Sequence, residues 1–469
     1  MSAPFLALAV GPIGLLLLSV ALIIMLIAVF RLNAFFALIL AAAFVSLTVA
    51  AGQTGDRRFE NAIESVMTEA GVTMSRVGFT IAMAAVIGMC LMESGAADKV
   101  IRRIIAVVGE GQAAPALLAC GFILSAPVFI DTVIMLLLPL ARALSLRTGR
   151  NYLLYVLVIC SGGMISNGVV PPAPGPLFVA ETLKLDVGIT ILAGVLFGLP
   201  LLAATLFLAR WFNRRMQVPV RATPGSSLES LEAMAARPES ELPGFWISIA
   251  PVFVPMFLIA AASVLGLLHA RLSPVLAQWI AFLGNKNVAL FIGGGIALVV
   301  HARQKKIGWR SAGRVLGAPL ETAGVIILVI SAGGAYGAMI EKAGVGEAVH
   351  RLAGVHSLNY VLLAWTIAAI MRAAQGSATV ATIAAAGIMM SVAGPAGFGV
   401  HPLYILLAIG FGSKFLAWMN DAGFWVIGRL GGLTQAETLR SWTILSSIIS
   451  LLGLVEVLFV SHFFPTLSF

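Results

Sequence analysis

Apolar runs long enough to cross a bilayer recur along the whole chain and constrain it more than any other feature. About 20 such residues span the hydrocarbon core. Runs of this kind lie at roughly 5–29, 33–50, 75–93, 151–168 continuing to 182, 187–210, 245–268, 287–302, 318–340, 401–428 and 441–464. Of 469 residues, 60% are hydrophobic and 10% charged. An ordinary soluble domain is about a quarter charged, so a water-soluble globule is excluded. The formal net charge of +9 does not point to nucleic acid, because cytoplasmic loops of membrane proteins carry excess Lys and Arg. The first run, Phe5 to Phe30, is longer than a signal-peptide core and is not preceded by a basic segment, so it reads as a retained span. Cys90, Cys120 and Cys160 all lie in apolar runs without metal spacing and read as small core residues.

Two further apolar stretches, 113–145 and 359–392, are too long for one span and carry polar or helix-breaking residues in their middles. They read as re-entrant helical hairpins, because non-helical backbone at membrane depth is tolerated when it is buried in protein or lines a cavity; two ordinary spans each is the alternative. The one long polar segment, 211–243, reads as a cytoplasmic linker. With that placement, 19 Lys and Arg face the cytoplasm and 8 face out, while Arg372 and Lys414 lie at membrane depth. The bias supports a multi-pass bacterial-type inner-membrane protein in this orientation.

An internal repeat emerges at a shift of 249 residues, from Gly95 to Gly344. The same shift carries Pro127 onto Gly376, the Pro171–Pro174 break onto 420–423, and the outer spans onto one another. The expected organisation is an N-terminal repeat over 1–210 (hairpin 113–145, broken helix 151–182), the linker, and a C-terminal repeat over 244–469 (hairpin 359–392, broken helix 401–428). An odd number of crossings per half makes the repeats inverted. The fold class is therefore an all-α polytopic membrane protein with two inverted-topology repeats, each holding a re-entrant hairpin and a broken transmembrane helix, a design used by secondary transporters that bind substrate at the breaks. No G-x-x-x-x-G-K-S/T motif for ATP is present, so an ion gradient is the expected energy source. No cofactor and no metal site is expected.

Four breaks hold the candidate residues. The first, at Ser125-Ala126-Pro127, is followed by Asp131 and Thr132. An acid in an apolar hairpin is expensive and marks function, although an Asp at a helix start also serves as an N-cap. The second runs through Asn167 and Gly168 into Pro171, Pro172, Pro174, Gly175 and Pro176, which cannot remain helical; an apolar surface loop is the plain alternative. The third is Arg372 to Thr382, with Gln375, Gly376, Ser377 and Thr379 at a helix start suited to a carboxylate. Arg372 has three open partners, the substrate, Asp421 or another acid, and it can also snorkel to the surface. The fourth joins Lys414 to Asn420-Asp421-Ala422-Gly423, where an Asn-Asp-x-Gly run breaks the helix. The favoured binding set is Ser125, Asp131, Thr132, Asn167, Gln375, Ser377, Thr379 and Asn420, with Asp131 or Asp421 carrying the coupling cation and Arg372 and Lys414 as charge partners. Glu456 and the six histidines, near span ends or loops, read as interfacial polar residues.

The segment Ala126-Pro127-Val128-Phe129-Ile130-Asp131 with Leu136 to Leu140, the run Gly168 to Leu177, Gly376 to Thr382, and Asn420 to Trp425 together resemble the gluconate permease family of proton symporters, in the right order over nearly the whole chain. The resemblance implies import of gluconate-type sugar acids or small hydroxy acids with protons. It also implies a scaffold and a mobile transport domain of the elevator type, usually in a homodimer. The family pattern has His where this chain has Asn167, Ala173 and Trp418, and Thr where it has Gln375. These departures leave the fold intact and suit a smaller or less hydroxylated acid. Sodium coupling on the same fold, with oxygen cages at the breaks, is the second expectation. An intramembrane enzyme or channel is the third, with no dyad or metal motif to support it.

Overall fold

The computed structural model describes residues 3–108, 110–126, 130, 133–134, 137–138, 141–142, 144–145, 150–216, 218–221, 241–267, 273–308, 316–345, 348, 359–393, 397–419 and 421–467. Among these the regular structure is helical throughout. In chain order the helices are α1 (Ala3–Ala28), α2 (Ala34–Ala51), α3 (Arg58–Glu93), α4 (Ala96–Val108), α5 (Ala113–Leu124), α6 (Tyr152–Val169), α7 (Pro174–Thr182), α8 (Val187–Arg215), α9 (Phe245–Leu267), α10 (Pro274–Gly284), α11 (Lys286–Lys305), α12 (Gly317–Lys342), α13 (Tyr360–Gln375), α14 (Ala378–Ala393), α15 (Pro402–Gly412), α16 (Ala422–Gly431) and α17 (Gln435–Phe463). Seven helical segments among the described residues are long and apolar enough to cross a membrane, with α6 and α7 counted as one. The pair α10–α11, bent by 63°, makes an eighth if taken as a single span. The chain is an all-helical, multi-pass membrane protein.

Two elements differ from the hydropathy reading. The span expected at 75–93 is the second half of the 36-residue α3. Its first half carries Arg58, Glu60, Glu64 and Glu69, which hide it from an apolar window while still allowing a charged helix face. Residues 274–284, expected as connecting chain, form α10. Ser273 caps it through Leu276 N, and Pro274 sits at the first helical position, where the missing N–H is not needed.

The broken span α6–α7 is the core of the molecule. Nearly every residue of α6 is buried, as expected of a helix apolar on all sides. It packs against α5, α8 and α15, while α7 packs against α14 and α15. The two broken spans cross backbone to backbone: a Cβ added at Gly410 would lie 2.4 Å from the Gly168 oxygen. Only glycine permits that approach.

Element boundaries recur at the 249-residue interval. Helix α3 ends at Glu93 and α12 at Lys342; α7 covers Pro174–Thr182 and α16 covers Ala422–Gly431. Gly95 and Gly344 both have left-handed backbone, with φ of 75° and 73°. The halves are tied at one end by the Tyr152 hydroxyl donating to Gly431 O at 2.6 Å and by Arg221, which holds both Glu437 carboxylate oxygens at 2.6 and 2.8 Å. Most of the linker, 222–240, lies outside the described residues.

Candidate functional site

Each break is built as the local chemistry requires. In the second hairpin, α13 ends at Gly376, whose φ of 82° is left-handed, and its N–H returns to Arg372 O at 2.9 Å. Ser377 then opens α14, its hydroxyl accepting from Val380 N at 3.4 Å. In the last broken span, α15 stops at Gly412 and α16 begins at Ala422, and 413–419 and Asp421 are not in a regular helix.

That open stretch has freed amides and carbonyls, which must find partners inside a membrane. Neighbouring α17 supplies them. Thr443 Oγ1 donates to Ala417 O at 2.6 Å, Leu416 N donates to Ser447 Oγ at 3.2 Å, and Ser450 Oγ donates to Phe411 O at 2.7 Å. Ser450 Oγ also accepts from the Trp365 indole at 3.2 Å. Sequence reasoning missed this rack. Its signal was a Thr443, Ser447, Ser450 stripe at helical spacing in an otherwise apolar span.

The central feature is a buried ion pair. Arg372 Nη2 donates to Asp421 Oδ2 at 2.6 Å, with the two side chains 5% and 13% exposed. Of the partners left open for Arg372, Asp421 is the acid it meets, and its burial is at odds with snorkelling. Asp421 also caps the start of α16, where its Oδ1 accepts from Gly423 N at 3.1 Å. Arg372 Nε and Nη1 are buried and have no hydrogen-bond partner among the described residues. Lys414, 6% exposed, feels the charges of both Arg372 and Asp421. Its Cε would lie 2.9 Å from a Cβ placed on Gly168. The Trp418 indole donates to Ala373 O at 3.1 Å, which ties the open stretch to the end of α13.

Gly175, at the start of α7, meets Thr382 of α14: a Cβ there would lie 3.3 Å from Thr382 Cγ2. Pro171 and Pro172 are joined by a cis bond between α6 and α7, and Pro174 is the first residue of α7. Ser125, at the end of α5, is fully buried and points at α6, where a Cβ on Gly163 would be 2.7 Å from its Oγ. The hydroxyls of Ser125, Ser161 and Ser166 are buried without a hydrogen-bond partner among the described residues. Asn167 and Thr379 are half-buried. Gln375 ends α13. Pro127, Asp131, Thr132 and Asn420 lie outside the described residues. Among the described residues no three His, Cys, Asp or Glu come together as a metal site.

The arrangement is therefore a desolvated cluster of one acid and two bases where the second hairpin meets both broken spans. Such a cluster can take up an anion and can exchange a cation on the carboxylate. It holds no nucleophile–base dyad.

The pattern of the GntP family permeases matches residues 12–463. A gluconate permease of Pseudomonas aeruginosa is 31% identical over 440 residues, covering 94% of this chain and 95% of its own length. The Gnt-II system L-idonate transporter of Escherichia coli K12 is 29% identical over 452 residues, covering 96% and 99%. Among solved structures, the Alcanivorax borkumensis YdaH transporter, described as having an unusual topology, covers 92% of this chain and 99% of its own. Its TM-score is 0.61 at 13% identity, a likeness of fold.

Proposed function

The chain belongs to the GntP permease family, and we propose that it imports a sugar acid such as gluconate, or a small hydroxy acid, by proton symport across a bacterial inner membrane. It is a transporter, not an enzyme, as its relatives are permeases. Relatives named for gluconate and L-idonate support the substrate class. The observation that carries the ion-coupled reading is the buried Arg372–Asp421 pair. A carboxylate at membrane depth is costly to keep, and a coupling site needs one that binds a cation and then releases it.

In this reading the substrate carboxylate sits at the hairpin tips, on the hydroxyls of Ser125, Thr132, Ser377 and Thr379 and the amides opening α14, whose helix end favours an anion. Asn167, Gln375 and Asn420 take the sugar hydroxyls, and Asp131 or Asp421 carries the proton. The recurrence at 249 residues supports two repeats, 1–210 and 244–469, joined by a cytoplasmic linker. Inverted repeats of this kind move the hairpins and broken helices past the remaining spans as an elevator, in a homodimer.

The test is uptake of labelled gluconate into proteoliposomes, with competition by idonate, glycerate, lactate and D-serine, and with choline in place of sodium. We expect uptake driven by an inward proton gradient, unchanged in choline and competed by sugar acids. Uptake that requires sodium would instead assign sodium as the coupling ion. Absence of competition by every acid would overturn the substrate class.

A further inference from the structure

We propose that Arg372 is the anchor for the substrate carboxylate and that this carboxylate and Asp421 exchange as its partner, so that anion and proton bind as a linked pair. The proposal rests on the sugar-acid symport reading above.

A guanidinium presents five N–H donors in a planar fork. Here one nitrogen, Nη2, holds Asp421, while Nε and Nη1 are buried and have no hydrogen-bond partner among the described residues. Buried donors without partners are costly, and a carboxylate is the group whose two oxygens fit adjacent N–H bonds of this fork; Nε and Nη1 each share an edge with Nη2 and not with one another, so a bidentate carboxylate competes with Asp421 for Nη2. The position suits a ligand: Arg372 is in the last turn of α13, directly before the Gly376 turn, with Ser377 and Thr379 following. Asp421 is already held on its other oxygen by Gly423 N, so it stays in place when the guanidinium turns to a second anion.

The linkage follows from charge. With Asp421 ionised, Arg372 is neutralised from within, and an incoming anion meets a carboxylate beside its anchor. Two carboxylates sharing one site retain a proton that neither would hold alone. Anion binding therefore raises the proton affinity of Asp421, and protonation of Asp421 frees Arg372 for the anion; the two effects are reciprocal. Lys414 is the third charged group of the cluster. Of the elements packed around it, 152–169 and 378–393 contain no charge, α13 contains only Arg372 and the 443–450 face of α17 contains none; α7 carries Glu181, which is held by Lys286, and α17 carries Glu437, Arg440 and Glu456 outside that face. Asp131 lies outside the described residues.

The experiment is gluconate binding to the full-length protein in nanodiscs by calorimetry, over about pH 5.5 to 8.5, where gluconate stays ionised, together with counterflow in proteoliposomes. For the native chain the Kd should rise with pH, approaching about tenfold per unit once Asp421 loses its proton. In Asp421→Asn the pH dependence of gluconate binding and of counterflow should flatten, and gradient-driven accumulation should be lost. Arg372→Gln should weaken binding about 100-fold or more, and Arg372→Lys, which keeps the charge but not the fork, about tenfold. If Arg372→Gln elutes as aggregate, the Lys variant, with its loss of about tenfold, and the Arg372→Gln/Asp421→Asn double variant, which removes both charges together and should lose about 100-fold, take its place. Binding by the Arg372 variants within threefold of the native chain overturns the proposal. So does a native pH slope retained by Asp421→Asn; in either case the transport reading stands. If the native chain binds no sugar acid at any pH, the transport reading itself falls and this one with it.

Discussion

Removing the hydroxyl rack on α17 is the sharpest test of how the open stretch 413–419 is held. The perturbation is Thr443→Val, Ser447→Ala and Ser450→Ala, singly and together. Four hydrogen bonds to other elements are lost, to Ala417 O, from Leu416 N, to Phe411 O and from the Trp365 indole, beside the Ser447 hydroxyl's bond to Thr443 O within its own helix. The indole keeps its bond to the Ser450 carbonyl at 3.2 Å, so three losses carry full weight. Each hydrogen bond contributes about 1 kcal/mol, and interhelical bonds in membrane bundles average nearer ~0.6 kcal/mol. Single variants should therefore cost about 0.5–1.5 kcal/mol and the triple about 2–4 kcal/mol. A loss of about 3 kcal/mol that fell wholly on the binding-competent arrangement would reduce its population roughly 150-fold. Gluconate affinity should thus fall by up to two orders of magnitude, because the same stretch carries Lys414 and leads into Asp421. The assay is thermal unfolding in detergent beside saturation kinetics of uptake. Thr322→Val is the control, since its hydroxyl donates only to Ala318 O on its own exposed helix turn, and it should change neither quantity measurably. A triple variant with native melting and native KM would refute the reasoning.

Further predictions concern packing and the ties between halves. A Cβ at Gly162 would lie 2.4 Å from the backbone oxygen of Leu118, whereas one at Gly295 meets nothing within 4 Å. Gly162→Ala should therefore destabilise by about 1–3 kcal/mol or more through overpacking, and Gly295→Ala should be neutral or slightly stabilising, as read by paired melting curves. Gly376→Ala forces a side chain into left-handed backbone at φ 82° and should cost about 1–2 kcal/mol, with a matching loss of uptake because the turn sits between Arg372 and Ser377. The Arg221–Glu437 bridge is partly exposed. Arg221→Ala should cost about 1 kcal/mol or less, more at low salt than at high salt, and leave the KM for gluconate near native.

The sequence made the interruptions legible because their causes are local. Four prolines between 171 and 176 end a helix wherever it lies, and Gly376 marks a turn by its own backbone freedom. The helices forming the hairpin and the broken spans accordingly end within a few residues of the expected bounds. Partnerships were less legible. Arg372 and Asp421 are 49 residues apart, and nothing in either neighbourhood selects the other from several acids. The α17 hydroxyls looked like ordinary Ser and Thr in an apolar helix, because the backbone they serve lies on another element. Amphipathic segments were also hidden: the charged first half of α3 dilutes hydropathy, although Ala62 and Val66, one turn apart, are buried and pack.

The central claim is that a proton enters with each sugar acid through a buried carboxylate. It is tested most directly by adding gluconate to lightly buffered, de-energised proteoliposomes and recording the external pH. The account predicts a gluconate-dependent alkalinisation outside, unchanged when valinomycin and potassium clamp the membrane potential because one proton with one monoanion moves no net charge, abolished by an uncoupler and absent from Asp421→Asn. Gluconate entry without any pH change, or with a change that Asp421→Asn and Asp131→Asn both preserve in full, would contradict it.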